Sequence, residues 1–419
     1  MPVSAGTGRA AGYPLRSPEY RRVAIALFLA GVATFAMLHA TQPLLPLLAA
    51  DFGVSAGASA WSLSAATLAL GVALLLAGPA SEVIGRTPLM LGSLFAAAVV
   101  GIACGLAPSW PALLALRTLH GVALAGLPAV AMAYLTEELA SSARARAVGL
   151  YVGGTGIGGM AGRLVTGGLA QEWGWRAGLI GIGLLGLACA LAATLLLPRS
   201  RNFRPAPATW RHLAGQTRRI VTDPAMLCLF GIGAAVMGAL AGEFNAAAFR
   251  LEAEPYSLSV GLAGLVFLVY AFGSWSSAFA GRMVHRFSER AVAPWAGLAG
   301  ILGTLLTLAS PLWLFVAGLA VMTMGFFALH SVASGWVAAR ATLSSGAPGQ
   351  ASSGYLFSYY LGASSCGALG ASAWAQGGWP AVTGFGVGLF ALATALTLVL
   401  RRIPSLDETE HPEPTPAAP

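Results

Sequence analysis

The sequence contains no lysine, and all 23 of its basic residues are arginine. Charge of either sign is scarce: 9% of residues are charged, where a globular domain carries about a quarter. A chain this poor in charge cannot dress a water-exposed surface, which excludes a soluble protein or a soluble enzyme. Cysteine is also rare. Cys104, Cys189, Cys228 and Cys366 lie in separate apolar runs without the close spacing of a metal site or a redox pair. The glycine-rich GGTGIGG has no preceding strand and no P-loop lysine, so a nucleotide-binding loop is excluded as well. No nucleophile with its base and no metal cluster stands out, so neither an enzyme nor a bound cofactor is expected.

What the chain does have is apolar length. Hydrophobic residues make up 57% of it and the mean hydropathy is +0.75. Splitting the apolar runs at proline, glycine and charged clusters predicts spans at 22–49, 60–78, 88–106, 111–135, 147–169 and 176–197. A second set follows at 224–248, 259–280, 291–309, 312–337, 352–373 and 380–400. Each run can cross a hydrocarbon core of about 30 Å as a helix, and lipid leaves no alternative because it cannot hydrogen-bond an open backbone. The predicted architecture is an all-α membrane protein of 12 transmembrane helices in two six-helix bundles related by pseudo-two-fold symmetry. Residues 1–21 form an N-terminal tail, 22–197 the first bundle, 198–222 a central loop, 223–402 the second bundle and 403–419 a disordered tail. The first apolar run is much longer than a signal-peptide core, so it reads as a retained span.

Orientation follows from the arginines. With the N-terminus in the cytoplasm, the tails and even-numbered loops hold 19 of the 23, and only Arg176 and Arg250 fall in outer loops. The positive-inside rule therefore predicts that both termini are cytoplasmic. The net charge of +8 is a topology signal, and nucleic acid is not an expected partner. The lipid bilayer and a small-molecule substrate are, and the chain is expected to be monomeric.

The halves resemble one another. GLYVGGTGIGGMAGRL at 149–164 aligns without gaps on GYLFSYYLGASSCGAL at 354–369, and GPASEVIGR at 78–86 answers GRMVHRFSE at 281–289. Shortly after the first pair, EWGW ending at Trp175 answers QGGW ending at Trp379. Two six-span sets with parallel internal similarity are the pattern of a transporter that rocks around a midplane site.

On these residues the chain resembles the major facilitator superfamily over about residues 20–402. Gly78, Glu82, Gly85 and Arg86 match the family's signature between spans two and three, with Glu82 in place of the commoner Asp. The resemblance assigns that loop, and its answering Gly281, His285 and Arg286, to the conformational switch. Arg117 and Gly121 match the span-four signature. Gly149, Gly156 and Gly162 resemble the glycine-rich antiporter motif of span five, which implies close helix packing. HATQPLLPLLAADFG and GGMAGR look most similar to bacterial inner-membrane drug:proton antiporters and sugar-efflux permeases. The implied function is secondary active export of a small organic or drug-like molecule by proton antiport. The alternative is proton-linked or facilitative movement of a small organic anion.

Among 15 acids, Glu243 is the only one well inside an apolar span. A carboxylate in lipid or dry protein must be paired, hydrated or protonated, which suits a proton-coupling group. The competing reading is a structural acid tied to an arginine or lying close to the outer interface. Arg117 and Arg163 also lie within spans, where a guanidinium needs anionic or carbonyl partners. They are candidates to hold Glu243 or an anionic substrate group, with a structural hub as the competing role for Arg117. His39 and His120, on spans one and four, could share proton coupling. Substrate contacts could come from Gln42, Asn245, His330, Tyr355 and Tyr359, the last two one turn apart on one helix face. Interhelical hydrogen bonding and packing explain Gln42, Asn245 and the tyrosines equally well, and a lone histidine on an apolar helix, as at His39, His120 and His330, is more often a satisfied packing residue. No pair of histidines has metal-ligand spacing, so no metal site is expected.

Overall fold

The computed structural model describes residues 12–203, 210–404 and 406. Of the expected disordered tail at 403–419, residues 405 and 407–419 lie outside the described residues, as do residues 1–11 and 204–209. Among those described, nine helices are long and apolar enough to cross a membrane, the longest being Ser141–Leu196 and Pro348–Leu400.

The chain divides into two compact units. The first holds residues up to 208 together with 244–268, and the second holds 209–243 together with 269 onward. In the first unit, α1 (Pro18–His39) and α2 (Leu45–Phe52) are separated by a single 3-10 turn, Gln42–Leu44. Pro43 in that turn brings no N–H to the helix ladder, so the apolar run breaks there and the last carbonyls of α1 are left without helical partners. Then come α3 (Ala56–Ile84), α4 (Arg86–Gly105), α5 (Trp110–Leu124), α6 (Gly126–Glu138) and α7 (Ser141–Leu196). After α8 (Trp210–Thr222) the chain enters α9 (Pro224–Glu252), α10 (Val260–Gly264), a 3-10 turn at Leu265–Val269 and α11 (Tyr270–Phe287). It ends with α12 (Glu289–Leu306), α13 (Leu312–Ser344) and α14 (Pro348–Leu400).

The internal repeat is written into the backbone. Both very long helices break at a glycine followed by tryptophan: Gly174 has φ 79° inside α7, and Gly378 has φ 62° inside α14. The turn between α3 and α4 is made by Gly85 with φ 94° and ψ 155°, and its repeat at Ser288 has φ 86° and ψ 158°. That region is open to glycine and strained for serine.

Glycines also set the closest helix approaches. In α7, a Cβ at Gly154, Gly158 or Gly162 would run into the backbone of Phe28, Val32 or Ala36 on α1. In α14, Gly362 and Gly370 meet Ala234 and Gly242 of α9 in the same way. Small residues at four-residue spacing let helix backbones touch in lipid. Two expectations change here. Gly149 and Gly156 face open space, so close packing falls to Gly154, Gly158 and Gly162. The register of the repeat also shifts: Gly158 with Gly362 and Gly174 with Gly378 are both 204 apart, where the ungapped sequence alignment used 205. Arg163 is thus matched with Gly367.

Many large apolar side chains remain exposed, among them Leu76, Leu195, Leu302 and Trp295, all at 60% or more. Such a surface requires lipid, as in a multi-pass membrane protein.

Candidate functional site

In the first unit the break between α1 and α2 organises a polar centre. Arg117 of α5 is fully buried and fills the gap left by the ending helix. Its Nη2 donates to the Leu38 carbonyl at 2.7 Å, Nη1 to Met37 at 3.4 Å, and Nε to the Ser62 carbonyl on α3 at 2.7 Å. Nη1 also donates to His120 Nδ1 at 2.7 Å, which makes that nitrogen an acceptor and fixes the imidazole tautomer. His39 lies at the end of α1, where Nδ1 bonds to its own helix at the Phe35 carbonyl, 3.0 Å away.

Next to this hub runs a second thread. Arg163 of α7 donates through Nε to Gln42 Oε1 at 2.6 Å and through Nη1 to the Gly159 carbonyl at 2.6 Å. Gln42 Nε2 then donates to Asn245 Oδ1 at 2.8 Å. The Arg163 guanidinium lies 4.8 Å from the centre of the Phe267 ring, which stacks on Phe244. All of these polar side chains are at most 3% exposed. Arg163, Gln42 and Asn245 are thus brought together by a helix break, a long helix and α9, with Phe267 forming an aromatic wall that the sequence did not single out. A cation–π contact leaves no local sequence pattern to find.

The second unit holds the acid. Glu243 is 1% exposed, and its Oε1 accepts from Thr304 Oγ1 on α12 at 2.7 Å. Its Oε2 has no hydrogen-bond partner among the described residues. Gly386 of α14 leaves the space for this carboxyl group, since a Cβ there would meet Oε1. Within its own unit the carboxyl group is thus held by a hydroxyl, which the sequence did not single out. Thr304 is in turn tied to Trp379, whose Nε1 donates to Thr307 Oγ1 at 2.9 Å while that hydroxyl donates to the Thr304 carbonyl at 2.6 Å.

His330 of α13 bonds to Tyr355 Oη at 2.9 Å and packs against Tyr359 with ring centres 4.8 Å apart. The three predicted contact residues of the second half therefore form one aromatic cluster, which Phe326 and Tyr360 extend.

The loop signature forms an ion cluster. Arg86 Nη2 lies 2.7 Å from Glu82 and 2.8 Å from Glu137, and Nη1 donates to Ser81. Gly78 and Gly281 face open space, and His285 and Arg286 are exposed. Glu137 and Glu138 were missed by the sequence reading. Glu138, fully buried, accepts through Oε1 from Ser200 Oγ at 2.7 Å and from the N–H groups of Arg201 at 2.7 Å and Asn202 at 2.8 Å. The available signal was two adjacent acids among arginine-rich loops. Among the described residues no group of three metal-ligating side chains assembles.

A profile of the Major Facilitator Superfamily matches residues 23–251. The inner membrane transport protein YnfM of Escherichia coli K12 is 41% identical over 369 residues, covering 88% of both chains. The MFS-type transporter YybF of Bacillus subtilis 168 is 38% identical over 386 residues, 92% of this chain and 95% of that protein. Among solved structures, an inward-facing, unoccupied bacterial homolog of the human lysosomal transporter Spinster superposes with a TM-score of 0.76 at 18% identity, covering 92% of this chain and 98% of that one. The human organic anion transporter MFSD10 gives 0.69 at 18% identity, with 91% and 100% covered. At that identity the structures speak for the fold alone, whereas the profile and the sequence relatives carry the family. The chain belongs to the Major Facilitator Superfamily, as a multi-pass membrane transporter of a small molecule and not an enzyme.

Proposed function

We propose that this protein exports a small organic or drug-like molecule by proton antiport through alternating access, with Glu243 as the coupling acid. The observation that carries this reading is the half-satisfied carboxyl group: Glu243 is buried, one oxygen is held by Thr304, and the other has no partner among the described residues. Proton exchange changes the charge of a group that the surrounding apolar helices cannot solvate, and so changes the relative stability of two conformations. Arg163, Gln42 and Asn245, beside Phe267, supply the polar contacts and aromatic wall for substrate. Arg117, His120, His39 and the His330–Tyr355–Tyr359 cluster are further candidates. Glycine-lined contacts, as at Gly158 and Gly362, suit helices that slide during the cycle.

In this reading the chain has twelve spans. The breaks at Gly174 and Gly378 divide two of the nine long apolar helices, and α12 adds one more. The spans form two six-helix bundles, over 22–197 and 223–402, in the bacterial inner membrane with both termini cytoplasmic.

The test is flux in proteoliposomes. Glu243→Gln should abolish flux driven by a pH gradient while substrate exchange without a gradient continues, which shows that the variant is folded. Wild-type flux by the variant under the gradient would overturn the assignment. The second reading, transport of a small organic anion, draws on the buried Arg163–Gln42 pair. It predicts flux that is indifferent to the pH gradient and lost in Arg163→Gln. Thermal stabilisation against a panel of drugs, sugars and organic anions identifies the substrate class, since a ligand of the folded state raises apparent stability.

A further inference from the structure

On the second unit, α11, α12 and α13 enclose an apolar groove of about 590 Å³. Trp275, Phe279 and Phe287 of α11 and Trp295 of α12 stand along it, and all four rings are at least 43% exposed. Trp275 and Phe279 stack with ring centres 5.5 Å apart at 11°. Between Trp275 and Phe287 the helix rises about 18 Å. One leaflet of a hydrocarbon core is about 15 Å deep. The groove thus has the volume of a small-molecule site and the length of a single acyl chain.

Its end is cationic. The Arg286 guanidinium lies 5.2 Å from the centre of the Phe287 ring, and Arg282 stands one turn earlier on α11. Both arginines are exposed, and among the described residues neither forms an ion pair. The first half of the molecule shows that the fold requires none of this. With Gly281 set against Gly78, the groove residues Trp275, Phe279 and Trp295 fall opposite Val72, Leu76 and Gly92. Arg282 and Arg286 fall opposite Pro79 and Val83. The backbone supports the comparison, because Gly85 and Ser288 share one unusual conformation in this same alignment.

We propose that the groove retains one anionic phospholipid, with an acyl chain lying along α11 and the phosphate held between Arg282 and Arg286. Charge complementarity selects this occupant. An uncharged apolar ligand would have no use for the two arginines, whereas an anionic headgroup pairs with both. A lipid phosphate satisfies both guanidinium groups at the depth where the apolar wall ends.

The test is native mass spectrometry of the full-length protein in detergent, supplied with equal amounts of phosphatidylglycerol and phosphatidylcholine. The wild type should retain phosphatidylglycerol by about 30-fold over phosphatidylcholine, the preference that two surface arginines confer. The double variant Arg282→Gln, Arg286→Gln should retain the two lipids equally. Ala299→Phe, which fills the groove and keeps the arginines, should lose the retained lipid and so tests the site without touching its charge. Equal retention by the wild type, or retention that survives both variants, would overturn the proposal, as would a dimer forming in place of the lipid complex.

Discussion

Replacing Glu138 with alanine removes the acceptor that fastens the start of the central loop to the end of α6. One carboxylate oxygen receives three donors, Ser200 Oγ and the N–H groups of Arg201 and Asn202, at 2.7 to 2.8 Å. Hydrogen bonds to a charged group contribute about 1.5 to 3 kcal/mol each, and three that share one atom do not add fully, so a loss of about 3 kcal/mol in the local closed state is expected. Each 1.4 kcal/mol is a factor of ten, so the open population of this segment should rise about 100-fold. Trypsin reports that population directly, because Arg199 and Arg201 stand in the fastened stretch and cleavage follows the open fraction when reclosing is fast. Glu138→Ala should therefore be cut there about 100-fold faster than wild type at unchanged gel-filtration behaviour. Glu138→Gln keeps an uncharged acceptor and should fall between the two. If the alanine variant is cut at the wild-type rate, the three bonds do not hold the loop and the reasoning fails.

Two further expectations concern the backbone. Ser288, with φ 86° and ψ 158°, occupies a conformation that costs a residue with a side chain about 1 to 3 kcal/mol, so Ser288→Gly should raise the melting temperature in detergent and Gly85→Ser should lower it. A drop in stability for Ser288→Gly would contradict that account. Gly158→Val forces a side chain into the Val32 carbonyl and should destabilise by about 3 kcal/mol or more. Gly156→Ala enters open space and should be neutral or stabilising by about 1 kcal/mol; thermal melts of the two variants side by side check the pair.

The helices and the repeat were legible in the sequence because each is a local property. Apolar runs of membrane length and a glycine before tryptophan can be recognised without knowing what they touch. Partners were not legible. Glu243 stood out as a buried acid, but Thr304 is 61 residues away and looks like any other threonine. Gln42 and Asn245 are separated by 203 residues, and nothing in either neighbourhood names the other. Gly149 and Gly156 matched a motif by spacing, but which face of a helix meets its neighbour depends on how that helix is rotated. The one-residue error in the repeat register had the same origin, because pairing glycine with glycine ignored which of them touch a carbonyl.

The repeat itself separates requirements of the scaffold from requirements of chemistry. A backbone need recurs in both copies: the breaks at Gly174 and Gly378, the turns at Gly85 and Ser288, and the helix contacts at Gly158 and Gly362. The buried charges do not recur. Arg163 is matched by Gly367 in the structural register, and Glu243 by Thr41, since Val32 with Ala234 and Ala36 with Gly238 set α1 against α9 at an offset of 202. Thr41 is fully buried too, so the position tolerates a small hydroxyl in one copy and holds a carboxyl group in the other. A fold that can be built with threonine and glycine at these positions does not need the acid or the guanidinium for its own stability. Arg117 differs, because the carbonyls of Met37 and Leu38 that it holds are orphaned by the break after α1. Glu243 and Arg163 are therefore the charges in these helices whose burial the scaffold explains least, which is why the flux experiments are placed on them.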